Sequence, residues 1–142
     1  MWNIVAIIFM AGSCKLLYDI FSDDDDHQEN LSRGEAECHR VMKELLPDDK
    51  FVKARPEFLN KLELDLYCEP LKLAVEYNGS QHYEYNNIFH KSEEDFIQQQ
   101  KRDELKRKLC KDNGVRLITV SYKVRNIEEY IRHKLQKLDV IS

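Results

Sequence analysis

The chain has 142 residues, of which 42% are hydrophobic and 34% are charged, and its formal net charge is −4. This length suits one domain with a modest core and leaves little room for a second. The net charge does not indicate a nucleic-acid-binding protein, but its distribution leaves room for one. Residues 23–26 are four consecutive aspartates, whereas residues 101–125 contain nine Lys and Arg against three Asp and Glu.

The four cysteines are Cys14, Cys38, Cys68 and Cys110. No two of them are close enough in the chain to form a Cys-x-x-Cys pair. A zinc knuckle and a disulfide framework are therefore both disfavoured. We expect buried free thiols and, from them, a reducing intracellular compartment.

The first 31 residues divide into an apolar segment, 1–21, and an acidic linker, 22–31. The uninterrupted apolar run is shorter than the roughly 20 residues that a perpendicular membrane span needs. Three interpretations of the apolar segment stay open: a membrane anchor or signal segment that contacts a membrane through Met1–Phe21, a helix buried on the domain or on a partner, and an artefact of start-site choice. Because like charges repel each other, the linker marks the boundary of a folded domain over residues 32–142.

Residues 32–46 have the pattern of an amphipathic helix that begins with a capping box formed by Ser32 and Glu35. Two runs with a period of two follow, at residues 62–67 and 71–78, and these predict a β-hairpin. The dipeptide Glu69-Pro70 between the runs predicts a tight turn.

A two-residue loop at Glu69-Pro70 would place Asp65 opposite Ala74 and Glu63 opposite Glu76. In this register all the leucines of the hairpin share one face and all the carboxylates share the other. A slip of one residue would mix the two sets, so the pattern itself supports the register.

The remaining chain predicts a second helix over 93–113, a short strand over 115–120 and a final amphipathic helix over 127–138. Asn113-Gly114 is a typical C-terminal helix stop. The order of elements suits an α/β or α+β fold with a small mixed sheet. We expect the apolar stripe of the second helix to consist of Phe96, Ile97, Leu105 and Leu109.

Asp65 and Glu76 are the candidate metal ligands. As diagonal neighbours on one face of the hairpin they would lie roughly 7–8 Å apart. Two carboxylates at that distance can turn inward and share one hard cation, and Glu63 on the same face could support them. The alternative is that all three are ordinary solvated residues on the outer face of a hairpin.

Four pieces of the chain, taken in order, resemble the small PD-(D/E)XK nucleases related to very-short-patch repair endonucleases and to certain phage homing endonucleases. Similar small domains occur in bacteria, phages and large DNA viruses. The third piece, a strand that runs into Glu-x-x-Gly-x-Gln-His, is the most specific of the four. The pieces are residues 32–35 (SRGE), residues 62–67 (LELDLY), residues 73–83 (LAVEYNGSQHY) and residues 102–122, beginning with Arg102-Asp103.

The resemblance implies a restriction-endonuclease-like core and a metal-dependent endonuclease that hydrolyses phosphodiester bonds in DNA. It implies that Asp65, Glu76 and the backbone carbonyl of Tyr77 hold Mg²⁺ or Mn²⁺. A divalent metal lowers the pKa of the attacking water and neutralises the scissile phosphate. The resemblance further implies roles for Glu35 as an added ligand or orienter, and for Gln81 and His82 in orienting the water or protonating the leaving oxygen.

Asn78 is the main departure from the family pattern, because it stands where the motif usually has a catalytic lysine. Asparagine cannot supply a positive charge, so His82 is the candidate substitute in this part of the chain. The alternative is a weak or inactive nuclease-fold module that binds nucleic acid or a protein partner, in association with a membrane or virion.

The second helix carries the expected DNA-backbone contacts. Its basic residues are equally typical of a solvated helix face. Asp103 and Lys106, three residues apart, predict either an ordinary helix salt bridge or a pair that faces a phosphate. A single site suits nicking, and a homodimer would suit double-strand cleavage. The expected DNA-binding residues are Lys101, Arg102, Lys106, Arg107, Lys108 and Lys111.

Overall fold

The structure is a computed structural model that describes residues 31–142, and this part contains three α-helices and four strands. Two short 3₁₀ turns lie at Glu57–Leu59 and Ser80–His82. The predictions for the apolar segment and for most of the acidic linker lie outside the described residues. Within residues 31–142, no helix has the length and apolarity that a membrane span requires. The elements are α1 (Arg33–Leu45), β1 (Val52–Ala54), β2 (Leu64–Cys68), β3 (Leu73–Asn78), α2 (Glu93–Asp112), β4 (Arg116–Ser121) and α3 (Ile127–Lys137).

The strands form one mixed sheet in the order β1-β2-β3-β4. The pairs β1–β2 and β2–β3 are antiparallel, while β3 and β4 are parallel. Parallel neighbours need a long crossover, and here the crossover contains α2. The predicted mixed α/β architecture with a central β-hairpin is confirmed, since β2 and β3 are the two central strands.

Helices cover both faces of the sheet. On one face, α1 and α3 pack against every second residue of the strands, including Leu66, Val75 and Ile118. On the other face Cys110 of α2 packs with Leu59 and Ala74. The result is three layers, helix on sheet on helix, each stabilised by burial of apolar surface.

The predicted capping box begins α1. The Oγ of Ser32 accepts the Glu35 backbone N–H at 3.3 Å, and the Glu35 side chain accepts the Ser32 backbone N–H at 2.7 Å. Both are N–H groups that the first helical turn would otherwise leave without an intrahelical partner. The carboxylate of Glu35 therefore has a structural role at this helix terminus.

The predicted hairpin register is wrong by two residues. Leu66 pairs with Val75 and Cys68 pairs with Leu73, so Leu71 and Lys72 belong to the turn. The Lys72 N–H donates to the Glu69 carbonyl at 3.0 Å, and Lys72 itself adopts a left-handed φ of 47°. Leu66 and Leu73 pack on one face as predicted, but Leu64 packs on the opposite face with Tyr67 and Ala74, since the pairing of β2 with β1 is irregular between Leu64 and Tyr67. The shifted register pairs Ala74 with Tyr67 and not with Asp65.

The predicted apolar stripe of α2 is also wrong in part. Ile97 and Leu105 are 48% and 42% exposed. The inward face of α2 instead carries Asp103, Lys106 and Cys110, whose spacings of three and four residues match one side of a helix. The helix thus presents two charged side chains towards the sheet, and this placement is what builds the site described below.

Gly34 permits a close approach between α1 and the sheet. A β-carbon added at Gly34 would lie 2.1–2.3 Å from carbons of the Tyr77 ring, far inside contact distance. Alanine in place of a helical glycine normally stabilises a protein by about 0.5–1 kcal/mol. At this position we expect the opposite sign, because the methyl group would displace Tyr77 in β3.

Gly34→Ala is expected to lower the free energy of unfolding by about 1–3 kcal/mol, the usual cost of overpacking. Urea unfolding of the wild type and the variant measures this directly. In a Tyr77→Leu background, which removes the ring, the same Gly34→Ala change should become neutral or stabilising. An unchanged or increased stability of Gly34→Ala in the wild-type background would contradict the packing argument.

Candidate active site

Asp65 and Glu76 lie side by side on the two central strands. Asp65 directly precedes Leu66 and Glu76 directly follows Val75, and Leu66–Val75 is the last pair of the β2–β3 ladder at this end. Asp65 is close enough to raise the pKa of Glu76 through charge repulsion. The Oδ2 of Asp65 accepts the Tyr77 backbone N–H at 3.1 Å, which fixes this carboxylate at the start of β2. The two predicted carboxylates therefore lie within electrostatic reach of each other.

Lys106 of α2 supplies a positive charge to this carboxylate pair. Its Nζ donates to Oε1 of Glu76 at 2.5 Å, and the side chains of Lys106 and Glu76 are 16% and 8% exposed. Lys106 does not pair with Asp103, so the predicted helix salt bridge between them is wrong. Position 78 carries an asparagine and no ammonium group, but Lys106 of α2 brings an ammonium group to Glu76.

Burial controls the ionisation of both carboxyl groups. It raises the pKa of Glu76 to about 7, against the opposing effect of Lys106, and Asp65 and Asp103 raise it further. Burial also raises the pKa of Asp65, while the Tyr77 N–H lowers it and Glu35 raises it. When Asp65 and Glu76 are both ionised, their two negative charges exceed the single positive charge of Lys106. A divalent cation would neutralise this excess negative charge.

The donor set fits a hard cation. Asp65 and Glu76 each use one oxygen in the contacts above, and each has a second carboxylate oxygen as a candidate ligand. The Tyr77 N–H points to the β2 side, and a strand residue directs its carbonyl to the same side as its N–H. Two carboxylates and this carbonyl are the oxygen ligands that Mg²⁺ and Mn²⁺ prefer. Among residues 31–142, His, Cys, Asp and Glu do not form a metal-binding group of three or more.

His82 and Asp103 form a second pair beside Lys106. His82 follows β3 in a 3₁₀ turn, and its Nδ1 lies 2.7 Å from Oδ2 of Asp103. Both side chains are mostly buried, at 20% and 16% exposure. Because an ionised carboxylate only accepts hydrogen bonds, Nδ1 carries the proton and Nε2 is the atom left for proton exchange. Asp103 also raises the pKa of Glu76, so the two pairs lie within electrostatic reach of each other.

The other predicted site residues have mixed outcomes. Glu63 does not join the carboxylate pair, because it binds Lys53 at 3.3 Å and Arg55 at 2.9 Å. Asn78 is buried and lies on β3 two residues beyond Glu76. A β-carbon at Gly79 would lie 2.3 Å from the Gln81 side-chain oxygen, so this amide folds back over the glycine. The predicted contribution of Gln81 to water orientation stays a prediction.

The basic residues of α2 do not form one surface. Lys106 points to the carboxylates, Lys108 binds Asp112 at 2.6 Å, and Lys101 and Arg102 are exposed elsewhere on the helix. Arg107 and Lys111 line a groove beside β4. The sequence identified the correct helix but could not separate these groups, since their directions depend on how the helix packs.

The cysteines in the described part of the chain are free and buried, as predicted; they are Cys38, Cys68 and Cys110. Burial raises the pKa of the Cys38 thiol to about 12 and that of Cys110 to about 11. The thiols of Cys38 and Cys110 are therefore protonated and unreactive at neutral pH. The fourth, Cys14, lies outside the described residues.

Similar proteins occur in iridoviruses. The chain is 43% identical to uncharacterized protein 307L of Invertebrate iridescent virus 6 over 131 residues, covering 78% of this chain and 66% of that protein. It is 44% identical to uncharacterized protein 033L of Invertebrate iridescent virus 3, covering 78% of this chain and 61% of that protein. The chain thus spans slightly less than two thirds of these two relatives.

A third relative is uncharacterized protein 094L of Frog virus 3, which is 41% identical over 120 residues. This match covers 80% of the chain and 77% of the relative. No protein-family profile matches the chain, and no solved structure matches it. The chain belongs to the protein family that includes 094L of Frog virus 3.

Proposed function

We propose that residues 32–142 form a metal-dependent endonuclease of the restriction-endonuclease-like, PD-(D/E)XK type that hydrolyses phosphodiester bonds in DNA. The observation that carries this proposal is the Lys106 ammonium on Glu76, a carboxylate that also senses the charge of Asp65. Three separate elements bring two carboxylates and one lysine together in a partly buried site. This is the charge arrangement that phosphodiester hydrolysis needs, with the lysine delivered from α2 instead of position 78.

The side chains divide the work of hydrolysis. Asp65, Glu76 and the Tyr77 carbonyl would hold Mg²⁺ or Mn²⁺. When bound, such a cation supplies charge neutralisation at the scissile phosphate and lowers the pKa of the attacking water. Lys106 favours the ionised form of Glu76 by charge attraction, against the effect of burial. It also offers N–H donors to the negative charge that develops on the phosphate.

His82 is the candidate proton carrier. Asp103 accepts a hydrogen bond from the Nδ1–H group of His82 and thereby fixes the ring orientation and tautomer. In the protonated ring, Nε2 donates its proton to the leaving oxygen as the P–O bond breaks, and the neutral ring regains one from solvent. Positioned general acids of this kind contribute about 10²–10⁴-fold to a rate.

The test of the proposed function is cleavage of supercoiled plasmid by the 142-residue chain. We expect nicking or linearisation with Mg²⁺ or Mn²⁺, none with EDTA, and none with Asp65→Asn. Glu37→Gln is the matched control, since Glu37 is an exposed carboxylate paired with Arg40 on the outer side of α1. Equal cleavage by Asp65→Asn and the control would contradict the assignment. Absence of cleavage by folded wild type, with DNA binding retained without metal, would favour the non-enzymatic binding module.

A further inference from the structure

A groove with a volume of about 430 Å³ lies between α2 and β4 in the described part of the chain. This volume falls within the range of about 300–1,000 Å³ that is typical of ligand sites. Its lining contains three basic residues and no acidic or aromatic residue. The lining residues are Arg107, Lys111, Gly114, Val115, Arg116, Leu117 and Thr119.

The groove leads to the candidate active site. Thr119 pairs with Glu76 in the parallel register of β3 and β4. Adjacent residues at the same level of a sheet share a face, so Thr119 lies on the α2 face beside Glu76. A chain that enters along the groove would therefore reach the carboxylates and Lys106 at its inner end.

Two cations of the groove are available to an anion. Arg107 and Lys111 are one helical turn apart, both are exposed, and no ion pair within the described residues engages either of them. Arg116 differs, because its guanidinium donates to the carbonyls of Leu138 at 2.9 Å and Leu71 at 3.0 Å. Arg116 thus has a structural role, because it links β4 to the carbonyls of Leu71 and Leu138. Arg107 and Lys111 are the two positive charges of the groove that can bind an anion.

The strand side of the groove offers backbone donors. The N–H groups of Arg116 and Tyr122 donate towards β3, to Lys72 and Asn78 carbonyls. Because successive residues of a strand alternate in direction, the N–H groups of Leu117 and Thr119 point away from β3. β4 is an edge strand, so no further strand of the sheet uses them.

We propose that this groove binds the phosphodiester backbone of the nucleic-acid strand that the enzyme cleaves, next to the scissile phosphate. The proposal rests on the proposed nuclease function. Phosphate oxygens accept from guanidinium, ammonium and backbone N–H groups, and such contacts position a nucleic acid without reading its sequence. The groove lacks aromatic side chains for base stacking, so its contribution to binding is independent of sequence.

The test compares two double variants in DNA binding, measured by fluorescence anisotropy of a labelled duplex oligonucleotide in EDTA, where cleavage is absent. We expect Arg107→Ala with Lys111→Ala to weaken binding at least tenfold. The slope of log affinity against log salt should fall by about 1.8, since each lost phosphate contact contributes about 0.9. The matched control is Lys101→Ala with Lys108→Ala, which removes the same charge from one other side of the same helix, where the two lysines lie about two turns apart.

Equal effects of the two double variants, or no binding by the wild type at 50 mM salt, would overturn the groove assignment. The double variant Arg107→Gln with Lys111→Gln should weaken DNA binding as much as the double alanine variant does. Because glutamine keeps a longer polar side chain, this result would assign the weaker binding to the lost charge and not to the shortened side chains. The outcome is separable from the proposed function, because binding is measured without catalysis. If the wild type cleaves DNA but the groove variant binds DNA as tightly as the wild type, the nuclease proposal stands and the groove proposal is wrong. If the groove variant binds more weakly and the wild type does not cleave, the groove proposal stands and the nuclease proposal is wrong.

Discussion

Glu76→Gln is expected to abolish cleavage and, at the same time, to stabilise the metal-free protein at pH 8. Glutamine keeps the size of the side chain and an oxygen that accepts from Lys106, but it cannot become an anion. Loss of one of the two proposed carboxylate ligands is expected to lower the rate by at least 10²-fold, comparable to the loss of a key electrostatic contact in other enzymes.

The gain in stability follows from the raised pKa of Glu76. Its ordinary value is 4.5 and its value in the folded protein is about 7. A pKa difference of one corresponds to about 1.4 kcal/mol, so ionising Glu76 in the fold costs as much as about 3 kcal/mol. The folded state binds this proton more tightly than the unfolded state, and the free energy of unfolding therefore falls as pH rises from about 4.5 to about 7.

Urea unfolding in EDTA at pH 4, 6 and 8 measures this effect. The difference between Glu76→Gln and the wild type should be small at pH 4 and largest at pH 8, in favour of the variant. Added Mg²⁺ should then stabilise the wild type and leave the variant unchanged. A difference that is independent of pH would show that Glu76 is not destabilised as an anion, and metal-dependent cleavage by the variant would refute its role as a ligand.

Lys106→Met should reduce cleavage by about 10²–10³-fold, the usual consequence of removing one preorganised donor from developing negative charge. Methionine preserves most of the side-chain length and removes the charge. Without the ammonium the pKa of Glu76 should rise further, so the remaining activity should need a more alkaline pH than the wild type does. A structural role alone would not move the pH profile.

Two variants sharpen the test of Lys106. Lys108→Met is the matched control on the same helix, since Lys108 is exposed and pairs only with Asp112. Lys106→Met combined with Asn78→Lys moves the lysine to the position that the PD-(D/E)XK motif uses, on the same strand as Glu76. We expect partial recovery of cleavage in this double variant. Equal rates for Lys106→Met and Lys108→Met would rule out a function for the Lys106 charge.

Local patterns in the sequence were sufficient to predict much of the fold. The capping box of Ser32 and Glu35, the alternation of the hairpin and the stop at Asn113-Gly114 are all set by residues a few positions apart. These features survive folding because they depend on helix and strand periodicities of 3.6 and 2.0. The structure confirms each helix to within one residue at either end.

Some elements needed more information than local pattern contains. β1 is a strand of three residues with an exposed face, and its central residue is Lys53. Such a segment has no period to detect and becomes a strand only because β2 lies beside it. The predicted two-residue turn after Cys68 is wrong for a related reason, since Lys72 adopts a left-handed conformation that lysine rarely adopts.

The sequence by itself determined that Asp65 and Glu76 lie on the two strands of a central hairpin, because alternation predicts both strands. Only the tertiary structure decided that the two carboxylates interact, that Lys106 reaches Glu76 across 30 residues of sequence and that Asp103 reaches His82 across 21. No periodic signal encodes these contacts, since they depend on which side of α2 docks on the sheet. The docking in turn buries Cys110 against Ala74 and Leu59, and that apolar contact aims the charged side chains of α2 at the site.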